Sequence, residues 1–308
     1  MRKLIFLIFS AFSFTNGKSQ LAQPLPSYLI SNIALPAELD KQVCISGMKY
    51  FNGNLCLASE RCPAVLLLNP QTGTIDSIIH LNVPQEFEME GMTSYKGRLY
   101  LVSENIAAVY EVDSRSGVVK QIETSVPIPV KSKDGDGMEG IAANETNNKF
   151  YLLRERNDDK TKSQVYTFSA EPGNDNISFT LKYESMIELP LENEQWRYSD
   201  ICYDNENSRL ICLKSYSKGK LRQQYIESVS IDSNGKLLVE TLKNIPVDHL
   251  TETSATYKLQ GYSTNLEGIT VDNSGNIFII SDNTSGQAKC DLPAKEKTIL
   301  LHLKKKQL

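Results

Sequence analysis

Three glutamates of this 308-residue chain stand in one local context, Glu90-Gly91-Met92, Glu139-Gly140-Ile141 and Glu267-Gly268-Ile269. Four more carboxylates, Glu60, Glu104, Glu155 and Asp282, each close a short apolar run at a matching distance. Like charges brought together raise one another's pKa or recruit a cation. A donor set of hard oxygens, without histidine or thiolate, suits Ca²⁺, which takes about six to eight oxygens, better than Zn²⁺. The residues therefore read as a metal site, with Glu90, Glu139, Glu267 and Asp282 as ligands and Glu104 or Glu155 orienting a water. A structural reading stands beside it, in which the glutamates accept backbone hydrogen bonds from a neighbouring repeat and the glycines permit close strand approach. The asymmetry favours function, because the equivalent positions of two other repeats carry Ser46 and Ser199.

Cations accompany the acids at Arg61, Arg154, Arg156 and Lys214. Beside a metal they would hold a small substrate bearing phosphate or carboxylate; the alternative is ordinary ion pairs at a rim. The loop Lys133-Asp134-Gly135-Asp136-Gly137 resembles the start of a calcium loop but lacks the downstream ligands of an EF-hand. His80, His249 and His302 have no ligand spacing and read as structural. There is no Gly-x-Ser-x-Gly elbow, metalloprotease histidine pair or zinc-type cysteine spacing, so the serine-esterase and zinc classes lack support.

These residues sit on a repeat. Its first strand begins at Ser46, Glu90, Glu139, Ser199 and Glu267, with starts 44, 49, 60 and 68 residues apart. A nearly unbroken apolar second strand follows, then a third, then a fourth that ends on a proline. The last copy lacks its fourth strand, and Leu29 to Pro36 near the N-terminus matches that pattern. The fold expected is all-β: a five-bladed β-propeller closed by an N-terminal strand that completes the last blade. Closure removes the exposed edge of an open array. First strands line the channel and second strands run antiparallel to them, so the seven carboxylates converge on one mouth. No stretch shows sustained helical periodicity.

Residues 1–19 have a basic start at Arg2 and Lys3, an apolar run from Leu4 to Phe14 and a small-x-small site, the pattern of a signal peptide cut before Gln20. The run is too short to span a bilayer and no lipobox cysteine follows, so residues 20–308 are expected as one secreted or periplasmic domain. A net charge of −4 without a basic stripe argues against nucleic acid, and Lys304-Lys305-Lys306 reads as a solvated tail. Cys56, Cys202 and Cys212 lie in apolar strands and read as core. Cys44, Cys62 and Cys290 fall near one rim, where a bridge between two of them is open and Cys62 with Cys290 is the preferred pair. Oligomeric state is not legible.

The segments Met138-Glu139-Gly140-Ile141 with Phe150 to Arg156, and Leu266 to Asp272 with Gly275 to Asn283, resemble the phytase-like ("esterase-like activity of phytase") propellers and the related SdiA-regulated domain. Arg197-Tyr198-Ser199-Asp200-Ile201 is similar to a further segment of that pattern. The resemblance implies an exported propeller, with calcium and phosphoester hydrolysis. The Asp-Asp-Pro-Ala and Asp-Ile-Arg segments of well-studied propeller phytases are absent, so phytate itself is not read as the substrate. A second resemblance is to gluconolactonase-like propellers, in which a Glu-Gly-Pro start supplies a metal ligand; here isoleucine or methionine replaces the proline. A non-catalytic exported propeller that binds a ligand or protein at the same mouth is the alternative from outside the enzymes.

Overall fold

The second strand of each repeat is apolar on both faces because each face packs on a different neighbour. In the computed structural model, Ile211 and Leu213 join one buried cluster with Ile277 and Ile279, while Leu210 and Cys212 join another with Tyr151 and Leu153. The structure describes residues 26–306 except 35, 37–38, 40, 85–86, 132–135, 174–177, 220, 284–289 and 291. The expected signal peptide and Lys133 to Gly135 of the calcium-like loop lie outside the described residues.

The chain enters on β1 (Tyr28–Ala34) and makes blade one from β2 (Ile45–Phe51), β3 (Asn54–Ser59), β4 (Ala64–Leu68) and β5 (Ile75–His80). Blade two is β6 (Met89–Tyr95), β7 (Arg98–Ser103), β8 (Ala108–Val112) and β9 (Val119–Ile122). Blade three is β10 (Met138–Asn144), β11 (Lys149–Arg154), β12 (Lys162–Pro172) and β13 (Phe179–Pro190). Blade four is β14 (Trp196–Asp204), β15 (Arg209–Lys218), β16 (Leu221–Ile231) and β17 (Leu237–Asn244). A short strand β18 (Val247–Asp248) and a helix α1 (Leu250–Leu259) precede β19 (Leu266–Val271), β20 (Ile277–Ser281) and β21 (Leu300–Lys305) of blade five.

The first four blades are antiparallel sheets in chain order, and the fifth runs β18-β1-β21-β20-β19. The expected closure strand is present: β1 pairs antiparallel with β21, Tyr28 opposite Lys305 and Ala34 opposite Leu300. The inner strands contact one another in the cycle β2, β6, β10, β14, β19 and back to β2. Five apolar clusters fill the five seams between neighbouring blades. The chain is thus a closed five-bladed β-propeller.

Near the axis the inner strands come too close for side chains. A Cβ on Gly91 would lie 2.5 Å from the Cα of Gly140, and one on Gly140 would lie 2.9 Å from the backbone nitrogen of Ile201. Blade four has Asp200 where the others have glycine. Its buried carboxylate braces the seam, accepting from the backbone N–H of Ile201 at 2.8 Å and of Ile269 at 2.9 Å.

Two expectations need correction. Helix α1 was not foreseen; it buries only Leu250 and Ser254, so it leaves no apolar stripe in the sequence. The terminal lysines are not a solvated tail: Lys304 and Lys305 belong to β21, Lys305 pairs with Glu206, and Lys306 pairs with Asp248. Cys62 and Cys290 form a disulfide, the preferred pair, with Cα atoms 5.6 Å apart. Cys56, Cys202 and Cys212 are buried thiols.

Candidate functional site

One irregularity recurs in all five inner strands and aims the site residues. Pairing with the second strand skips a position between Ile45 and Gly47, Met138 and Gly140, Tyr198 and Asp200, and Leu266 and Gly268, and skips two between Met89 and Met92. The skipped residues are Ser46, Glu139, Ser199, Glu267 and the Glu90-Gly91 pair. Such β-bulges turn a side chain out of the ladder, and here they turn Ser46, Glu90, Glu139 and Glu267 toward the channel mouth, while Ser199 donates its hydroxyl to the carbonyl of Leu266. The second set of acids is held by an equally regular bond. The backbone N–H groups of Glu60, Glu104, Glu155 and Asp282 donate to the carbonyls of Cys44, Glu88, Gly137 and Asn265, each two residues before the bulge.

The result is a cavity of about 210 Å³ lined by all seven carboxylates, Glu60, Glu90, Glu104, Glu139, Glu155, Glu267 and Asp282, with Ile45, Ser46, Asn265 and, among the described residues, one cation, Arg197. Arg197 stands two residues before the blade-four bulge and reaches across the mouth. One guanidinium nitrogen meets Glu155 Oε1 at 2.9 Å; the other meets Glu267 and lies 3.3 Å from Asn265 Oδ1. Ser46 donates its hydroxyl to Glu90. Outside the lining, Lys131 bridges Glu104 and Glu88, and Arg61 bridges Glu88 and Glu60, the latter at 2.6 Å.

Residues 66–284 match the family profile described as "Phytase-like: Esterase-like activity of phytase". The chain belongs to the phytase-like family. No curated protein matches it. The phytase-like propeller is also similar to glutaminyl cyclase of Myxococcus xanthus, with a TM-score of 0.50, 14% identity, and coverage of 92% of this chain and 100% of that one. The PQQ-bound aldose sugar dehydrogenase of Streptomyces coelicolor superposes with a TM-score of 0.43 at 9% identity, covering 89% of this chain and 98% of that one. At 14% identity the first likeness shows the fold alone.

The phytase-like mouth splits its carboxylates electrostatically. Burial pushes Glu139 well above the usual carboxylate range, with Glu155 and Glu90 adding to it. Glu90 is likewise held well above that range by burial, helped by Glu60 and Glu104, despite the Ser46 hydroxyl. Burial raises Glu104 to about 7 against the opposing pull of Lys131. Burial also acts on Glu155, but Arg197, the contact with Asp136 and Arg156 outweigh it and leave its carboxyl below the ordinary value. Two carboxylates with separated pKa values in one cavity are the arrangement from which acid and base roles are drawn.

Not every residue expected at this site reaches it. Arg154 is the last residue of β11 and faces away from Glu155 by the strand's period of two; it pairs with Asp158 at 2.7 Å and with Gln164. Lys214 is buried between Glu192 and Glu227 and lies over the rings of Trp196 and Tyr198. Arg61 stays with Glu60 and Glu88. Arg156 binds Asp136 through its Nε at 2.9 Å and lines a neighbouring groove. Arg197 was not foreseen as a site residue. Its signal was positional: where the other repeats have Cys44, Glu88, Gly137 and Asn265, blade four, one of the two repeats with a serine in place of the glutamate at the bulge, has an arginine.

The donor set fits the calcium that the family resemblance implies. Every ligating atom at the mouth is a hard oxygen, and Glu104 Oε1 and Glu267 Oε2 are buried without a hydrogen-bond partner. Among the described residues no three acidic, histidine or cysteine side chains already converge as a chelate. The fit therefore lies in donor chemistry and unsatisfied oxygens. No helix among the described residues is long and apolar enough to cross a membrane.

Proposed function

We propose that this chain is an exported hydrolase of anionic esters, with phosphoesters as its substrate class and Ca²⁺ as its cofactor. The observation that carries the reading is the pair of unsatisfied oxygens, Glu104 Oε1 and Glu267 Oε2, in an all-oxygen mouth that holds a single arginine. Glu90, Glu139, Glu267 and Asp282 would hold the metal. Bound there, it would neutralise the acids and polarise a phosphoryl oxygen.

The chain's own residues supply the rest. Glu104, with a pKa near neutrality, takes a proton from the attacking water. The water oxygen bonds to phosphorus, the ester P–O bond breaks, and the leaving oxygen takes its proton from solvent at the mouth. Glu155 is kept ionised and fixes Arg197, whose guanidinium faces the charge that develops on the phosphoryl oxygens.

The test is turnover of p-nitrophenyl phosphate by the purified chain, with EDTA and with added calcium, alongside thermal melting. Turnover lost in EDTA and restored by calcium, with a calcium-dependent rise in melting temperature, is the expected result. Absence of turnover on a panel of simple phosphoesters, together with a melting temperature indifferent to calcium, would leave a ligand-binding propeller in its place.

A further inference from the structure

The acids of the mouth are shared among a few cations, and one of these is placed to give way. On blade two the carboxylate of Glu88 sits between Arg61 and Lys131, with Lys131 Nζ at 3.2 Å. Arg61 goes on to Glu60 at 2.6 Å, and Lys131 goes on to Glu104. Glu60, Arg61, Glu88, Lys131 and Glu104 thus form a row of alternating charge along the rim of blades one and two. Arg197 serves Glu155 and Glu267 on the other blades. Two acids have no cation of their own: Glu90 receives the Ser46 hydroxyl, and the carboxylate of Glu139 enters no ion pair among the described residues.

Lys131 and Arg197 are not equally fixed. Arg197 is a planar fork gripped by acids of two different blades. Lys131 is a point charge on a flexible four-carbon stem, and both of its acids belong to blade two. Its side chain is 30% exposed, whereas those of Glu88 and Glu104 are 9% and 5% exposed. When Lys131 leaves, Glu88 keeps Arg61 and only Glu104 loses its partner. Glu104 Oε1, the oxygen that Lys131 does not hold, is already buried without a hydrogen bond. The departure therefore strands no charge as long as another cation serves Glu104.

Burial works against the charge of Lys131, yet Glu104, with Glu90 and Glu139, raises its pKa above the ordinary lysine value, so the side chain stands at the mouth as a cation. The two acids that lack a cation of their own already act on this ammonium.

We propose that Lys131 is a resident counter-cation that competes with a divalent cation for the acid mouth and is displaced from Glu104 when that cation binds. Lys131 then sets how tightly calcium is held, and calcium in turn frees Lys131 into solvent, because coupling between two sites is reciprocal. This rests on the calcium of the hydrolase reading and not on its catalysis.

Two measurements test the displacement without turnover. Calorimetry with calcium chloride at pH 8 compares the full chain with Lys131→Met, which keeps the stem and removes the charge, and with Lys120→Met, which removes an equal charge from an exposed position on β9. Calcium is expected to bind about tenfold more tightly to Lys131→Met, inside the usual range of couplings, and with parent affinity to Lys120→Met. Lys131→Gln serves should the methionine variant fold poorly. In the parent, the rate at which an N-hydroxysuccinimide ester acetylates Lys131, read by peptide mass spectrometry, is expected to rise when calcium is added. Equal affinity in the parent and Lys131→Met, an equal gain in Lys120→Met, or acetylation of Lys131 that calcium leaves unchanged or slows overturns the displacement and leaves the calcium site standing. No calcium binding to the parent overturns the calcium site, and the displacement with it.

Discussion

Arg197 of blade four links Glu155 of blade three to Glu267 of blade five, with its guanidinium 2.9 Å from Glu155 Oε1. One side chain thus spans three blades at the mouth and compensates two buried acids. Removing one partner of a buried pair leaves the other charge without its counter-ion and costs roughly 3–5 kcal/mol. Arg197→Met is therefore expected to melt well below the parent at pH 8, and to lose about 10²–10³ in kcat/KM if the arginine stabilises developing charge. Adding Glu267→Gln should restore part of the stability and none of the activity. A single Arg197→Met variant as stable as the parent would show that the bridge carries little.

Glu104 sets a pH profile. In the metal-free chain its carboxyl stands at about 7; as the base of the proposed hydrolysis it should make kcat/KM rise with pH as it loses its proton, with a midpoint that calcium beside it would bring below that value. Glu104→Gln should flatten the rise and lower the rate by roughly 10²–10⁴. Lys131 pulls Glu104 down, so Lys131→Met should move the midpoint upward. A midpoint that ignores Lys131 would assign the titration to another group.

Glu90 and Glu139 set a stability profile of definite sign. Their carboxyls are raised in the folded chain above the unfolded value of about 4.3, so the fold binds their protonated forms in preference. The stability they lend is fully present below that unfolded value and is lost as pH rises through the folded one. In EDTA the melting temperature should accordingly fall from pH 5 to pH 8. Glu139→Gln keeps the shape without the titration and should melt higher than the parent at pH 8, by about 2–4 °C for each kcal/mol recovered. Calcium should raise the parent at pH 8 more than it raises this variant. A melting temperature that climbs with pH across this range would reverse the assignment.

The sequence disclosed the blades and the convergence of the acids for a mechanical reason. A second strand packed on both faces, as Leu210 to Leu213 is, must read as an unbroken apolar run, and antiparallel pairing then fixes which residues share a rim. It did not disclose which neighbouring cations face inward. Arg154 and Glu155 are adjacent in sequence and point to opposite sides, and Lys214 is drawn into the core by Glu227 and two aromatic rings. Arg197 opens the segment Arg197-Tyr198-Ser199-Asp200-Ile201, yet its ion pairs depend on Glu155 and Glu267, which lie 42 and 70 residues away. Bulges carry no composition signal of their own, so the device that aims the glutamates became visible only in the strand register.

The ring is closed by two independent devices, the outer strand of blade five and a disulfide between blades one and five, and each should fail separately. Strand β1 contributes main-chain pairing to β21, and Tyr28 is fully buried in the cluster between blades four and five while its hydroxyl donates to Gly275 O at 3.1 Å. Tyr28→Ala should cost about 3–5 kcal/mol, the range for a large aromatic removed from a core, and deletion through Ala34 should unfold blade five, seen as loss of hydrogen-exchange protection in β20 and β21. The Cys62–Cys290 disulfide joins the loop after β3 to the segment between β20 and β21, closing a loop with a sequence separation of 228. Cys62→Ser/Cys290→Ser, or reduction, should lower stability by about 2–5 kcal/mol. Exchange protection in β20 and β21 should then persist, because the strand still closes the sheet. Equal exposure of β21 in the reduced protein and in the β1 deletion would mean that the disulfide, rather than the strand, holds the last blade.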